Sequence, residues 1–399
     1  MTLPSLERYL DASATAPPAE AVLEAMARAD QVAWANPSSL HPWGLAAAEL
    51  LERSRWRLAT GLGTAPEQLI LCSGGSEAIH LALLGSAALL QPGRLLISAV
   101  EHPATEAAAA QLVRSGWQLE RIPVDRQGCV DPSDLARRLD PPTRLVSILW
   151  GQNEVGTLQP IDTIGRLCRS AGVRLHVDAV QVLGHRPIDL ATLPIDLLSC
   201  TAHKLQGPRG VGALALAEGI RIAPLIGGGG QEGGRRGGTE SVVLAHGFAT
   251  ALDLALARLG AQGLDPLSER RDALWQQLQT IPGVRLSGAD PLLAGGRLPH
   301  HLSLLISSRA ERPLSGRALV RALARRGWGL SSGSACSAGS ATAMPSPVLM
   351  AMGYETAEAA SGLRISLGPW VSEQSLRDFP QALQEAIEEC SIQAMEPAL

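Results

Sequence analysis

Residues 196–210 read DLLSCTAHKLQGPRG. An apolar run with strand character, DLLSCTA (196–202), feeds directly into His203 and Lys204. One strand earlier, VRLHVDAV (173–180) places Asp178 near its end, with Gln181 three residues on. QLILCS (68–73) runs into SGGSEA (73–78), where Gly74 and Gly75 precede a helical pattern that opens near Ser76. RLLISAV (94–100) and RLVSILW (144–150) are further buried strands, and SEAIHLALLGSAALL (76–90) and PIDTIGRLCRSAG (160–172) read as helices between them. Strand alternating with helix predicts a largely parallel sheet covered on both faces. Ligands of such sheets bind beyond the carboxyl ends of the strands, which is where Asp178, Lys204 and the Gly74–Gly75 turn fall.

Lys204 is the only lysine among 34 basic residues. A guanidinium stays protonated, whereas a desolvated ε-amine can lose its proton and form a Schiff base. One reading is therefore a nucleophilic amine. The other is an accident of an arginine-biased composition. The neighbours decide between them.

The chain has 399 residues, 46% of them hydrophobic and 18% charged, enough for one large or two moderate domains. A net charge of −4 argues against a nucleic-acid or membrane-surface function. Gly, Pro or charge interrupts every apolar stretch well before the roughly 18 residues of a membrane span. The start, MTLPSLERYLDASATAP, lacks a basic region followed by an apolar one and predicts no signal peptide. Cysteines at 72, 129, 168, 200, 336 and 390 form no CxxC pair, so no metal is expected and a reducing, cytoplasmic setting fits.

GGGGQEGGRRGGTES (227–241) is either a flexible linker or an ordered loop whose backbone approaches a ligand or a neighbouring subunit. A long helical pattern follows at 242–259. Shorter strands, HLSLLIS (301–307) and LRISL (363–367), then mix with helices, the last expected at 380–392, and predict a smaller α+β domain.

A lysine for a Schiff base, an acid for a pyridinium nitrogen and glycines before a helix, a cradle for phosphate, together describe pyridoxal 5′-phosphate. HVDAVQ followed by TAHKLQGPRGVGAL resembles the cofactor signature of class V aminotransferases, the fold-type I branch that includes cysteine desulfurases of the NifS and IscS kind. YLDASATAP (9–17), NPSSLH (36–41), SGGSEA (73–78), EHPA (101–104), NEVGT (153–157), GGTES (237–241), SSGSACSAG (331–339) and LRISLG (363–368) resemble desulfurase motifs in the same order. The resemblance implies a large cofactor-binding domain at 13–255, with a mostly parallel sheet. It implies a small α+β domain from 1–12 plus 256–399, carrying a cysteine loop at about 331–346.

It also implies roles. Lys204 would form the Schiff base and Asp178 would pair with the pyridine nitrogen. His102 would stack on the ring and relay protons. Asn153 and Gln181 would contact the ring oxygen side, with Asn153 also near substrate. Gly75, Ser76, Thr201 and His203 would hold the phosphate, and Thr239 would reach the phosphate of the other subunit of a homodimer. Arg364 would clamp the substrate carboxylate bidentately, and Asn36 would help place the substrate. Three departures from the family pattern stand out: Gly75–Ser76 where Ala–Thr is common, and Gln206 and Gln231 where many relatives carry aromatic and histidine residues.

Cys72, Cys168 and Cys200 sit in apolar patterns and read as small buried hydrophobes. Cys336 lies instead in SSGSACSAGSATAMPSP, a run of small and polar residues that buries little apolar surface. A thiol that travels between a buried site and an outside acceptor belongs in such a segment. The resemblance implies that Cys336 takes sulfur from L-cysteine as a persulfide, that alanine leaves, and that the sulfur passes to an iron–sulfur scaffold or another thiol carrier. The rival readings are another class V enzyme (selenocysteine lyase, aminotransferase or kynureninase-like hydrolase) and a non-catalytic sulfur-carrier or assembly subunit. Intact Lys204, His102 and Cys336 argue against the last.

Overall fold

A computed structural model describes residues 4–260, 263–293, 295–333 and 345–393. Its larger sheet contains β1 (Leu69–Cys72), β2 (Arg94–Ser98), β3 (Gln118–Ile122), β4 (Thr143–Leu149), β5 (Arg174–Asp178), β6 (Leu197–Thr201) and β7 (Gly212–Leu216) in the spatial order β1-β7-β6-β5-β4-β2-β3. β2 to β6 pair in parallel, and β7 runs antiparallel between β1 and β6. Strands β1, β4, β5, β6 and β7 are almost wholly buried, and all but β5 (RLHVD) are mostly apolar, as covered strands tend to be.

Helices α1 (Glu20–Val32), α2 (Pro42–Leu62), α3 (Gly75–Ala87), α4 (Pro103–Arg114), α5 (Pro132–Arg138), α6 (Ile161–Ser170) and α7 (Val242–Arg258) accompany this sheet. One large apolar cluster joins Leu58, Leu62, Ile148, Val177, Phe248 and Leu252. A second layer, with Ile79, Leu83, Ile97 and Ala108, packs α3 and α4 against β2.

The smaller sheet is antiparallel, ordered β10-β11-β9-β8, from β8 (Val284–Leu286), β9 (His301–Ile306), β10 (Ser331–Ser332) and β11 (Gly362–Ser366). Helices α8 (Leu267–Leu278), α9 (Gly316–Arg325), α10 (Pro347–Ala351), α11 (Thr356–Ala359) and α12 (Glu373–Gln393) surround it. Its core joins Leu274, Leu304, Leu323, Leu363, Phe379 and Leu383, and Leu10 from the start of the chain belongs to it. Isolated bridges Tyr9–Gly329 and Asp11–Ser366 hold that start against the small sheet.

The last helix begins at Glu373, before the expected 380, and carries Pro380 in its interior. A proline removes one helical hydrogen bond. Leu376, Phe379 and Leu383 are all buried on the small core, and that shared apolar face carries the helix past it. Four strands escaped the sequence reading, the short β8 and β10 of the small sheet and two in the large one. β3, QLERI, is a partly exposed edge strand with charges, and β7 follows the lysine segment as a short Gly-Ala-Leu run.

Candidate functional site

The carboxyl ends of β2, β4, β5 and β6 open into a cavity of about 200 Å³ lined by Ser13, His102, Asn153, Asp178, Lys204 and Arg364, with Glu154, Gln181 and Gly333 among its other walls. Lys204 ends a short turn, Ala202–Lys204, immediately after β6. Its Nζ donates to the carbonyls of Ser13 and Ala14, each at 2.7 Å. Gln181 Nε2 donates to the same Ser13 carbonyl at 2.9 Å. The YLDASATAP segment thus supplies backbone acceptors that hold the amine at the cavity floor.

Asp178 is the last residue of β5 and 2% exposed. Val180 N–H donates to its Oδ1 at 2.9 Å. Burial raises its pKa to about 6, although Val180 and Lys204 pull the other way. A buried carboxyl in that condition is suited to a cationic N–H partner. His102 caps the N-terminus of α4, with Ala104 N–H donating to its Nδ1 at 3.1 Å. Burial, reinforced by Lys204, lowers its pKa to about 4. The ring is therefore neutral near pH 7, and because Nδ1 accepts, the proton sits on Nε2.

Arg364, in the middle of β11, forms the opposite wall and is 2% exposed. Its Nη2 donates to Asp11 Oδ1 at 2.7 Å and its Nη1 to the Asn153 carbonyl at 3.0 Å. Its Nε is buried with no hydrogen-bond partner among the described residues. An orphaned guanidinium N–H at a substrate-sized cavity suits an incoming carboxylate.

Near the floor, β1 turns into α3. Gly74 has φ 154, and a Cβ on Gly75 would come within 2.8 Å of Val180 Cγ2 and 3.9 Å of Thr201 Cβ. Glycine is needed for this close approach. The first-turn N–H groups of a 13-residue helix therefore lie beside Val180, which also lines the cavity, and beside Thr201. Thr201 Oγ1 donates to the Val211 carbonyl at 3.0 Å, and His203 Nδ1 lies 3.1 Å from Thr15 Oγ1. Arg236, from the glycine-rich loop, pairs with Glu77 in the first turn of α3 at 2.9 Å. Desolvation opposes the ionised Glu77, but the hydrogen bonds from Arg236 and Ser73 win and hold its pKa below the usual value.

The residues present fit pyridoxal 5′-phosphate. An amine, a buried carboxyl, a neutral imidazole and a glycine-gated helix start gather at strand ends of the larger sheet. Lys204, Asp178, His102, Asn153, Gln181 and Arg364 meet in the cavity. Gly75 and Thr201 adjoin it, His203 directly precedes Lys204, and Ser76 stands exposed at the start of α3. Asn36 and Thr239 are not brought into it and are exposed on this single chain. Asn36 Oδ1 accepts from Ser38 N–H at 2.8 Å. Cys336 lies outside the described residues. Cys72, Cys168 and Cys200 are buried as expected.

The sequence reading assigned no role to Asp11, Ser13, Glu154 or Arg236. All four lie in or beside motifs that it quoted, and the available signal was an acidic or hydroxyl residue for Asp11, Ser13 and Glu154 and a charge in a glycine-rich run for Arg236.

Three comparisons bear on the site. The family model described as Aminotransferase class-V matches residues 8–379. A protein named cysteine desulfurase IscS from Dictyoglomus turgidum is 35% identical over 385 residues, covering 96% of this chain and 95% of that one. A Klebsiella pneumoniae protein named cysteine desulfurase is 37% identical over 372 residues, covering 92% and 89%. Among solved structures, a NifS-like protein superposes with TM-score 0.86 at 30% identity, covering 97% of this chain and all of that one. A structure titled SspA in complex with cysteine gives 0.78 at 29% identity, covering 91% and 99%.

Proposed function

The chain belongs to the class V aminotransferases, with cysteine desulfurases as its relatives over nearly its full length, and from that premise we propose that it converts L-cysteine to L-alanine and passes the sulfur on. The carrying observation is the convergence of Lys204, Asp178 and His102 on one cavity, faced by the unpartnered Nε of Arg364. When bound, pyridoxal 5′-phosphate supplies the electron sink that lets bonds at the substrate break. Asp178 would hold a protonated ring nitrogen, and the start of α3, with Ser76, Thr201 and His203, would hold the phosphate. Asn153 and Gln181 would meet the ring's oxygen side.

The chain's own groups then divide the work. Arg364 Nε, with one of its Nη atoms, takes the substrate carboxylate. The Lys204 amine moves a proton at the substrate Cα, steered by the Ser13 and Ala14 carbonyls. His102 keeps a neutral imidazole over the site and carries its proton on Nε2. The Cys336 thiolate attacks the substrate sulfur, a new S–S bond forms, and the C–S bond breaks. The sum balances: L-cysteine plus the Cys336 thiol gives L-alanine plus the Cys336 persulfide. The relatives' names support the removal of sulfur from cysteine, and in this reading the sulfur passes to an iron–sulfur scaffold or another thiol acceptor.

A homodimer is part of this proposal. Trp34, Leu40, Trp43, Trp56, Leu225 and Ile226 are large exposed apolar side chains, and such surface marks interfaces. Asn36 and Thr239 belong to the same exposed segments and would complete a site across the dimer. A cytoplasmic setting is supported by free thiols at all five described cysteines. No helix among the described residues is long and apolar enough to cross a membrane.

The test is to add L-cysteine to the cofactor-loaded protein without reductant. Alanine should form together with the mass of one extra sulfur on the peptide holding Cys336. An absorbance change with another amino acid, and no alanine, would make the chain a class V enzyme of different chemistry.

A further inference from the structure

Gly333 and Ser346 flank the stretch that holds Cys336, and the fold brings them together at one carboxyl group. A Cβ built on Gly333 would lie 3.2 Å from Glu154 Oε2 and 3.7 Å from Ser346 Cβ. Ser346 Oγ donates to the same Glu154 Oε2 at 2.6 Å. Glu154 and Gly333 both line the cavity that holds Lys204 and Arg364. Glu154 follows Asn153, whose carbonyl is already bonded to Arg364 Nη1.

The hydrogen-bond accounting at Ser346 is specific. Its oxygen accepts from Leu349 N–H at 3.2 Å and caps α10, and its N–H goes to the Ala359 carbonyl. Only the hydroxyl proton remains, and it goes to Glu154. The other stem is arranged alike, with Ser331 Oγ donating to Asp11 Oδ2 at 2.8 Å while Asp11 Oδ1 holds Arg364. Backbone pairing and the α10 cap would suffice to anchor these stems. A carboxyl placed in a desolvated pocket is costly to retain for that purpose alone. Burial pushes Glu154 up to about 7, and only the Ser346 hydroxyl and the Arg364 charge pull it back.

We propose that Glu154 is a positioning residue for sulfur transfer, acting through Ser346 to fix where the cysteine-bearing stretch leaves and returns to the substrate pocket. The inference rests on the Cys336 persulfide reading and adds to it a residue that acts on transfer rather than on substrate capture.

The experiment uses cofactor-loaded Glu154→Ala, Glu154→Gln and Ser346→Ala with L-cysteine as the probe. Two readouts are taken together: the absorbance change on cysteine addition and the rate at which sulfur mass appears on the Cys336 peptide. Glu154→Ala and Ser346→Ala should keep the absorbance change and its cysteine dependence. Both should load sulfur on Cys336 about tenfold or more slowly, the cost of a small misplacement. Glu154→Gln, whose amide oxygen still accepts the Ser346 proton, should stay within about threefold of the wild type.

Wild-type transfer in Ser346→Ala overturns the inference, even if Glu154→Ala fails to fold. So does an absorbance response that falls in step with transfer, since Glu154 would then serve substrate binding. Failure of the wild-type protein to load Cys336 is a separate result. It removes the sulfur-relay reading and this inference with it.

Discussion

The floor and the far wall of the cavity are built in opposite ways. Asp178 and Lys204 stand at the ends of the adjoining parallel strands β5 and β6, and His102 follows β2, beyond β4, so the sheet fixes all three before any substrate arrives. Their environment is desolvated, so Asp178 is pushed up and His102 down in pKa. The wall is a set of pre-formed charge contacts drawn from distant parts of the chain. Arg364 is already bound to Asp11 and to the Asn153 carbonyl. The floor supplies groups whose protonation is tuned, and the wall supplies a charge that, in the proposed reaction, the substrate would share with an existing partner.

The contrast breaks most sharply at Lys204. Lys204→Arg preserves the charge and much of the length, yet a guanidinium cannot form a Schiff base or act as a base. Alanine production should fall by about 10³-fold or more, within the range that proton transfer and nucleophilic catalysis contribute. A smaller loss would mean that the floor works by charge, as the wall does. Asp178→Asn comes next. It keeps the shape and removes the carboxylate that would hold a ring proton, so turnover should drop by about 10²-fold while cysteine saturation changes little. An unchanged turnover would remove Asp178 from the mechanism.

The wall should fail differently. Arg364→Ala leaves Asp11 partly buried without its cation. Truncating the guanidinium proposed to pair with the substrate carboxylate costs about 2–5 kcal/mol, so KM for L-cysteine should rise by about 100-fold, with kcat affected less. Steady-state kinetics across a wide cysteine range would show the split. A fall in kcat alone would place the carboxylate contact elsewhere.

The same division explains what could be read in advance. The lone lysine, the strand ending in Asp178 and the glycine turn before α3 are local signals, legible because a strand and the residue after it are contiguous in sequence. Arg364 was legible because a charge inside LRISL is costly unless paired. Its partner was not, since Asp11 and Arg364 are separated by 353 positions and pair through two isolated segments. Glu154 and Ser346, 192 positions apart, were hidden for the same reason. Strand β3 escaped because an edge strand need not be apolar. Pro380 misled because buried neighbours on one helix face outweighed the lost hydrogen bond.

The smallest effect concerns stability and has opposite signs in the two regions. In the large sheet His176 is fully buried, between the Ser147 hydroxyl on Nδ1 and the Ser199 hydroxyl on Nε2, each at 2.8 Å. Burial lowers its pKa from 6.5 to about 3. The unfolded chain therefore binds the extra proton, and the stability His176 contributes is complete above 6.5 and declines as pH falls toward 3. Glu154 at the wall is raised from 4.5 to about 7. There the folded chain binds the extra proton, so the stability is complete below 4.5 and declines as pH rises through 7. Urea unfolding of Glu154→Gln should lose the wall's slope between 4.5 and 7, by about 1–2 kcal/mol. His176→Asn should instead flatten the curve below 6.5 and leave the wall's slope in place. If Glu154→Gln keeps the wild-type slope, the carboxyl is solvated in solution. The wall would then lose its claim to a desolvated carboxyl, while the Arg364–Asp11 pair would still distinguish it from the floor.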